Sequence, residues 1–131
     1  VQALAEKSYF SNPIRRTSGF DSGRLQMLLA IINKRAGIKT AGYDIYINIV
    51  GGIKIKENAA DLAICLAIIS SITNKLPPKK SLIFGELGLD GGVRPAPFGE
   101  KRIKEGNRLG FKNIIAPGTV ETLAEAVKLL E

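Results

Sequence analysis

Histidine is absent from the 131 residues, and Cys65 is the only cysteine. These two shortages exclude a good deal of chemistry. A structural zinc site draws four ligands from cysteine and histidine, so this chain cannot build one, and no metal site is expected. A Ser-His-Asp or Cys-His nucleophile is equally impossible. No disulfide can form within the chain. A lone cysteine in an apolar stretch suits a reducing cytosol, and it reads as core packing, because apolar surroundings raise the thiol pKa. Aromatic residues are sparse, at 6%, which leaves few rings for stacking on nucleic-acid bases. No apolar run reaches the roughly 18 residues of a membrane helix, and no signal peptide opens the chain. A soluble, cytoplasmic protein with no membrane partner is expected. No G-x-x-x-x-G-K-S/T phosphate loop occurs either, so nucleotide hydrolysis is not expected of this chain.

What is present is mostly basic and apolar. Nineteen Lys and Arg against twelve Asp and Glu give a net charge of +7, an excess that draws a domain toward polyanions at long range. Hydrophobic residues make up 45%, enough for a real core in a chain of one-domain length. No linker and no repeat divides residues 1–131, so a single domain is expected. Val1 is not an initiator methionine and the first residues already read as strand, so this domain is expected to be part of a longer polypeptide.

Periodicity orders the elements. Residues 1–10 read as an edge strand, followed by the basic loop "SNPIRRTSGFDSGR", kept irregular by Pro13 and Gly19. Leu25, Leu28, Leu29, Ile32 and Ala36 recur at helical spacing, with Asp21 or Ser22 as N-cap and Gly37 as the stop. "YDIYINIV" reads as a strand, Gly51-Gly52 as a tight turn, and "IKIK" as a strand alternating apolar with basic. A helix over about 58–74 is apolar nearly all round, which marks it as central. "SLIFGEL" and "VRPAP" read as strands. A charged helix over 99–110 has Ile103 and Leu109 as its apolar anchors. "KNIIAP" reads as a buried strand. The last helix begins at Thr119 or Thr122, where Thr122 and Glu125 have capping-box spacing, and its stripe is Leu123, Ala126, Val127 and Leu130. This mixture predicts an α/β (α+β) fold, a two-layer sandwich of helices on a mixed β-sheet.

One corner looks catalytic and is not. In "KIKENAADLAICLAIISS" a helix begins just off a strand, a favoured seat for a nucleophile or an anion. The residues at the turn are Ala59 and Ala60, whose methyl groups can do neither job. Glu57 and Asp61 flank the helix start, where carboxylates suit the dipole. Taken alone, the residues favour a structural turn. Downstream, "GELGLDGGVRPAPFGEKRIKEG" is a loop of fixed shape leading into a basic helix, whose Lys101, Arg102 and Lys104 suit phosphate or simply solvent.

These stretches together carry a family resemblance. "GGIKIKENAADLAICLAIISS" with "FGELGLDGGVRPAPFGEKRIKEGNRLGFKNIIAP" is similar to the proteolytic domain of Lon proteases. With "RRTSGFDSGRLQMLLAIINKRAG" added, the whole chain resembles the Lon-like C-terminal domain of the RadA (Sms) family of bacterial DNA-repair proteins. Lon enzymes use a serine–lysine dyad, the serine in a G-P-S-A-G turn. The resemblance places Ala59 at the serine, Asp61 where a glycine should be, and Glu100 at the lysine. Both halves of the dyad are therefore degenerate, and this chain is expected to be no enzyme. The resemblance further implies a ring-forming, hexameric, RecA-type ATPase parent acting on branched DNA. Its ATP, Mg and Zn sites would lie only in upstream domains, with no cofactor in this chain.

The implied role is a non-proteolytic ring scaffold and DNA-contacting module for branch migration. Partners would be single-stranded or branched DNA, the upstream ATPase domain and further copies of the same protein. The candidate contacts are Arg15, Arg16 and Arg24 near the first helix, Lys54 and Lys56 on one strand, and Arg94, Lys101, Arg102 and Lys104. Each is equally readable as a solvated surface charge. Two other readings remain open: an oligomerisation domain that never meets DNA, and a residual serine peptidase using Ser70 or Ser71.

Overall fold

A computed structural model of the chain describes residues 1–51, 55 and 57–131. Lys54, Lys56, the Gly51-Gly52 turn and the "IKIK" strand expected from the sequence fall wholly or partly outside the described residues. The elements follow in the order β1 (Gln2–Lys7), β2 (Arg15–Ser18), α1 (Ser22–Ile31), β3 (Tyr43–Asn48), α2 (Asp61–Thr73), β4 (Ser81–Ile83), β5 (Glu86–Leu87), β6 (Val93–Arg94), α3 (Gly99–Arg108), β7 (Asn113–Ile115) and α4 (Leu123–Val127). The fold is α+β. The expected mixed sheet is β1-β3-β2, in which β1 runs antiparallel and β2 parallel to the central β3. The remaining strands form two further pairs, β4 parallel to β7 and β5 antiparallel to β6.

Local chemistry accounts for the helix ends. Asp21 caps α1, its carboxylate accepting the Arg24 N–H at 2.7 Å. The helix widens into a π turn over Ile32–Ala36 and ends at Gly37, whose φ of +68° suits a residue without a Cβ. A 3-10 turn, Asn58–Ala60, precedes α2, and Asn74 closes it in the left-handed conformation. Thr122 caps α4 by accepting the Glu125 N–H at 3.2 Å, while the Glu125 carboxylate reaches back to the Glu121 N–H at 2.8 Å.

The core forms where these elements turn their apolar faces together. Leu25, Leu28, Leu29 and Ile32 of the first helical stretch meet Leu62, Ile64, Cys65, Leu66, Ile68 and Ile69 of α2, Ile45 and Ile47 of β3, and Leu123 and Ala126 of α4. Helix α2 is the centre, as its all-round apolarity predicts. Three expectations need correction. The basic stretch after β1 is not a wholly irregular loop, because Arg15–Ser18 within it form the strand β2. "SLIFGEL" is not one strand: Gly85, at φ +146°, breaks it into β4 and β5, which pair with different partners. Leu109 is no anchor of α3 but is 59% exposed, and the helix instead approaches the core at Gly106, where a Cβ would lie 2.6 Å from a Leu82 methyl.

Cys65 is fully buried in α2, and burial pushes its thiol well above the ordinary range. The sign of the consequence follows. Above about pH 8.5 an unfolded cysteine begins to ionise while the native one keeps its proton, so the native state holds more protons and stability falls as pH rises. The slope is about 1.4 kcal/mol per pH unit. Urea unfolding at pH 8.5 and pH 10 is expected to show the chain losing about 2 kcal/mol more than a Cys65→Ala variant does. Equal losses would place the thiol in solvent contact.

Candidate nucleic-acid interface

The catalytic-looking corner is a backbone clasp. The Ala59 carbonyl accepts the Gly85 N–H at 2.8 Å, and the Gly85 carbonyl accepts the Leu62 N–H at 3.1 Å. This exchange holds the break between β4 and β5 against the first turn of α2. Ala59 is buried and faces a hollow of about 250 Å³ lined by Glu57, Ala60, Ala63, Phe84 and Arg102, among others. Glu100 lies elsewhere, in a separate hollow with Pro95, Ile103 and Pro117, and Phe84 lines both. Among the described residues, the basic group lining this hollow is Arg102, a guanidinium, which is a poor general base. Its guanidinium pairs with Glu57, its Nε donates to the Pro97 carbonyl at 2.8 Å, and its Cζ sits 5.9 Å from the centre of the Phe84 ring.

Asp61, one residue into α2, is completely buried. Its carboxylate accepts from Arg24 Nε at 3.2 Å and from the Leu87 N–H at 3.1 Å, with Arg24 Nη2 on its second oxygen. Arg24 Nη2 also reaches the Leu87 carbonyl at 3.3 Å. This bonding to Asp61 raises the Arg24 pKa above its ordinary value. A two-pronged pair of this kind ties α1, α2 and β5 into one unit. Sequence reasoning placed Arg24 among the DNA contacts and Asp61 at the helix dipole. In the folded chain each pairs with the other, and Arg24 is half-buried with its guanidinium engaged.

Arg15 is similarly engaged. Its Nη1 donates to the Ile14 carbonyl at 3.2 Å and to the Tyr43 carbonyl, and its Nη2 donates to the Thr40 carbonyl at 3.1 Å. Burial lowers its pKa, partly offset by Asp44. It braces the start of β3 instead of facing solvent.

The other candidates remain outside. Arg16 is exposed on β2, in register with Tyr46 of β3. Arg94 lies against Gly88 in the β5–β6 turn, 3.8 Å from Asp90. Lys101 and Lys104 line a shallow cleft of about 360 Å³ along α3 with Glu105 and Arg108. Glu105 is taken by Arg108, at 2.9 Å from Nε. Among the described residues, neither lysine is paired with a carboxylate. Lys101 Nζ lies 5.4 Å from the centre of the Phe98 ring. The structure therefore separates the described basic candidates into two engaged arginines (Arg15 and Arg24), one partly engaged (Arg102), and a solvent-facing set of Arg16, Arg94, Lys101 and Lys104.

Sequence reasoning also missed two exposed rings. Tyr9 is 90% and Phe10 65% exposed in the loop between β1 and β2. Their position after a strand whose other exposed residues are mixed polar and apolar was the only signal. Ser70 and Ser71 line a groove of about 710 Å³ over α2, between β1 and β4, in which no basic side chain appears among the described lining residues. The Ser71 hydroxyl accepts the Ala5 N–H at 2.9 Å. No described helix is long and apolar enough to cross a membrane.

An α+β domain with this helix-and-strand order and a methyl-bearing corner has relatives. The chain belongs to the family described as subunit ChlI of Mg-chelatase, whose sequence pattern matches residues 23–119. Its curated relatives are DNA repair proteins named RadA. That of Pseudomonas aeruginosa is 48% identical over 117 residues, covering 89% of this chain and 26% of its own length. The Aquifex aeolicus protein is 43% identical over 129 residues, covering 98% of this chain and 29% of its own. The Escherichia coli protein is 41% identical over 117 residues, with 89% and 25% covered. The chain thus spans little more than a quarter of the length of the relatives it matches.

Proposed function

We propose that this chain is a non-proteolytic, Lon-like module of a larger RadA-like DNA-repair ATPase, serving as ring scaffold and DNA contact during branch migration. The observation that carries the DNA contact is the lysine pair of α3, Lys101 and Lys104, which has no carboxylate partner among the described residues, on a chain with a net charge of +7. Arg16 and Arg94 extend the same solvent-facing set. Ammonium groups held free of carboxylates suit phosphate, whose neutralisation releases counterions and makes binding fall with salt. The similarity to DNA repair proteins over most of the chain supports a DNA context. ATP, Mg and Zn chemistry would belong to the remainder of such a protein.

The absence of peptidase activity is part of the proposal. Ala59 has no nucleophilic oxygen, the Arg102 guanidinium beside it is a poor general base, and Glu100 lines a different hollow. Ser70 and Ser71 lie in a groove whose described lining offers no lysine to activate them.

Fluorescence anisotropy of a labelled forked DNA, titrated with the chain at low and near-physiological salt, tests the contact. Saturable binding that weakens steeply with salt is expected. A Lys101→Ala/Lys104→Ala variant is expected to bind more weakly on every sequence, with a salt slope reduced by about two. No binding by the folded chain even at low salt would leave an assembly domain without DNA contact as the function.

A further inference from the structure

Among the described residues, the sheet β1-β3-β2 has one face covered by the core and one partly open face, on which Asp44 is buried. Ala3, Ala5, Ile45 and Ile47 turn inward onto the core. The alternating residues turn outward, where Leu4, Tyr46 and Arg16 stand side by side in one cross-strand row. Leu4 is 56% exposed, Tyr46 is half-buried and Arg16 is exposed. Unlike Tyr43, which packs against the core cluster, Tyr46 belongs to this outer row.

The β1–β2 loop adds two more rings at the end of the same sheet. Tyr9 and Phe10 project there almost without cover, yet the loop is anchored. The Ser8 N–H donates to the Gly42 carbonyl at 2.8 Å, and the Ser8 hydroxyl accepts the Phe10 N–H at 3.2 Å. Rings held on a fixed turn lose little freedom when something stacks on them, so they are suited to binding. The charge of the loop itself is of one sign. From Lys7 to Ser18 there are three cations and no carboxylate. Of the acids at this end of the sheet, Glu6 is exposed, and the Asp44 carboxylate is already engaged by the Ile14 N–H at 2.7 Å.

Aromatic rings beside cations on an open sheet face are the recognition chemistry of unpaired bases. The rings stack on base planes and the cations hold the backbone, whereas a duplex hides those planes within its own stack. We propose that Tyr9 and Phe10, with Tyr46 and Arg16 behind them, form a stacking site for single-stranded nucleic acid. It rests on the DNA-contact reading above and adds to it a preference for strands whose bases are free. Duplex DNA would be held by the solvent-facing cations without the rings, and the displaced strand of a branch would run over the sheet.

The test compares labelled oligothymidylate with a duplex of equal length, both at low salt. The chain contains no tryptophan, so tyrosine emission is directly readable, and quenching by the single strand but not by the duplex is expected. Tyr9→Ala/Phe10→Ala is expected to weaken single-strand binding at least about tenfold and to change duplex binding less than about twofold. Tyr9→Phe, which keeps the ring, is expected to bind as the parent does. If the parent binds both DNAs with steep salt dependence and the double variant binds the single strand equally well, the stacking site is overturned while the DNA-contact reading stands. If the parent binds neither, both fall. If the double variant changes only the sedimentation behaviour of the chain, the rings are a self-association face and the stacking site is overturned.

Discussion

Arg24→Met is expected to destabilise the chain by about 3–5 kcal/mol at neutral pH, read as a shift of the urea midpoint. Methionine fills much of the arginine's volume, so the loss is not one of packing. It arises because Asp61, with no exposure to solvent, would keep a negative charge with only the Leu87 N–H to answer it. A buried charge stripped of its partner costs far more than the pair itself contributes. One further result separates this cause from a general loosening. Arg24→Met/Asp61→Leu is expected to be more stable than Arg24→Met alone, since removing both partners removes the stranded charge. A single-variant loss below about 1 kcal/mol would mean that water reaches Asp61 and that the pair is a surface feature. Arg24 is 18% exposed, so the reverse change, stranding the arginine, is expected to cost less.

The second large effect is at the clasp. Gly85→Ala is expected to cost about 3 kcal/mol or more, from two sources. At φ +146° an L side chain is strained whatever the space around it. There is also no space, because a Cβ would lie 2.9 Å from a Val93 methyl and 3.2 Å from the Pro117 ring. Relief would require opening the bonds to Ala59 and Leu62, which fix the start of α2. Thermal unfolding would register the loss as a lower midpoint, and circular dichroism at low temperature would show whether the remaining structure is intact. An unchanged midpoint would mean that the β4–β5 break tolerates an ordinary strand conformation. By contrast, a Cβ at Gly37 meets nothing within 4 Å, so only its backbone conformation opposes substitution there.

The sequence was most informative about features encoded by neighbours in the chain. Asp21, Gly37 and Thr122 act as helix signals because their partners lie within a few residues, and the apolar period of α1 and the all-round apolarity of α2 report burial directly. Features set by distant partners were hidden. Arg24 and Asp61 are 37 residues apart, and nothing local to Arg24 marks it as internal. Asp61 did carry a usable signal: a carboxylate at the head of an otherwise apolar helix needs a cation, and a cation so used is unavailable to DNA. Arg15 and Arg16 are adjacent in sequence and opposite in fate, because consecutive strand residues face opposite sides once the register with β3 is set. The same alternation brings Leu4, Tyr46 and Arg16 together. A low aromatic content obscured this row, since where the few rings stand matters more than how many there are.

The hydroxyl of Ser71 has a consequence for how copies of this chain behave in a crowded solution. Among the described residues, strand β1 pairs only with β3, so its outer border is a line of amides able to recruit a stranger's backbone. Midway along that border the Ala5 amide is turned onto the side of α2 and bonded to Ser71. An incoming strand would have to break that bond before it could add itself to the sheet. One serine on the central helix thus occupies a border amide that an added strand would need.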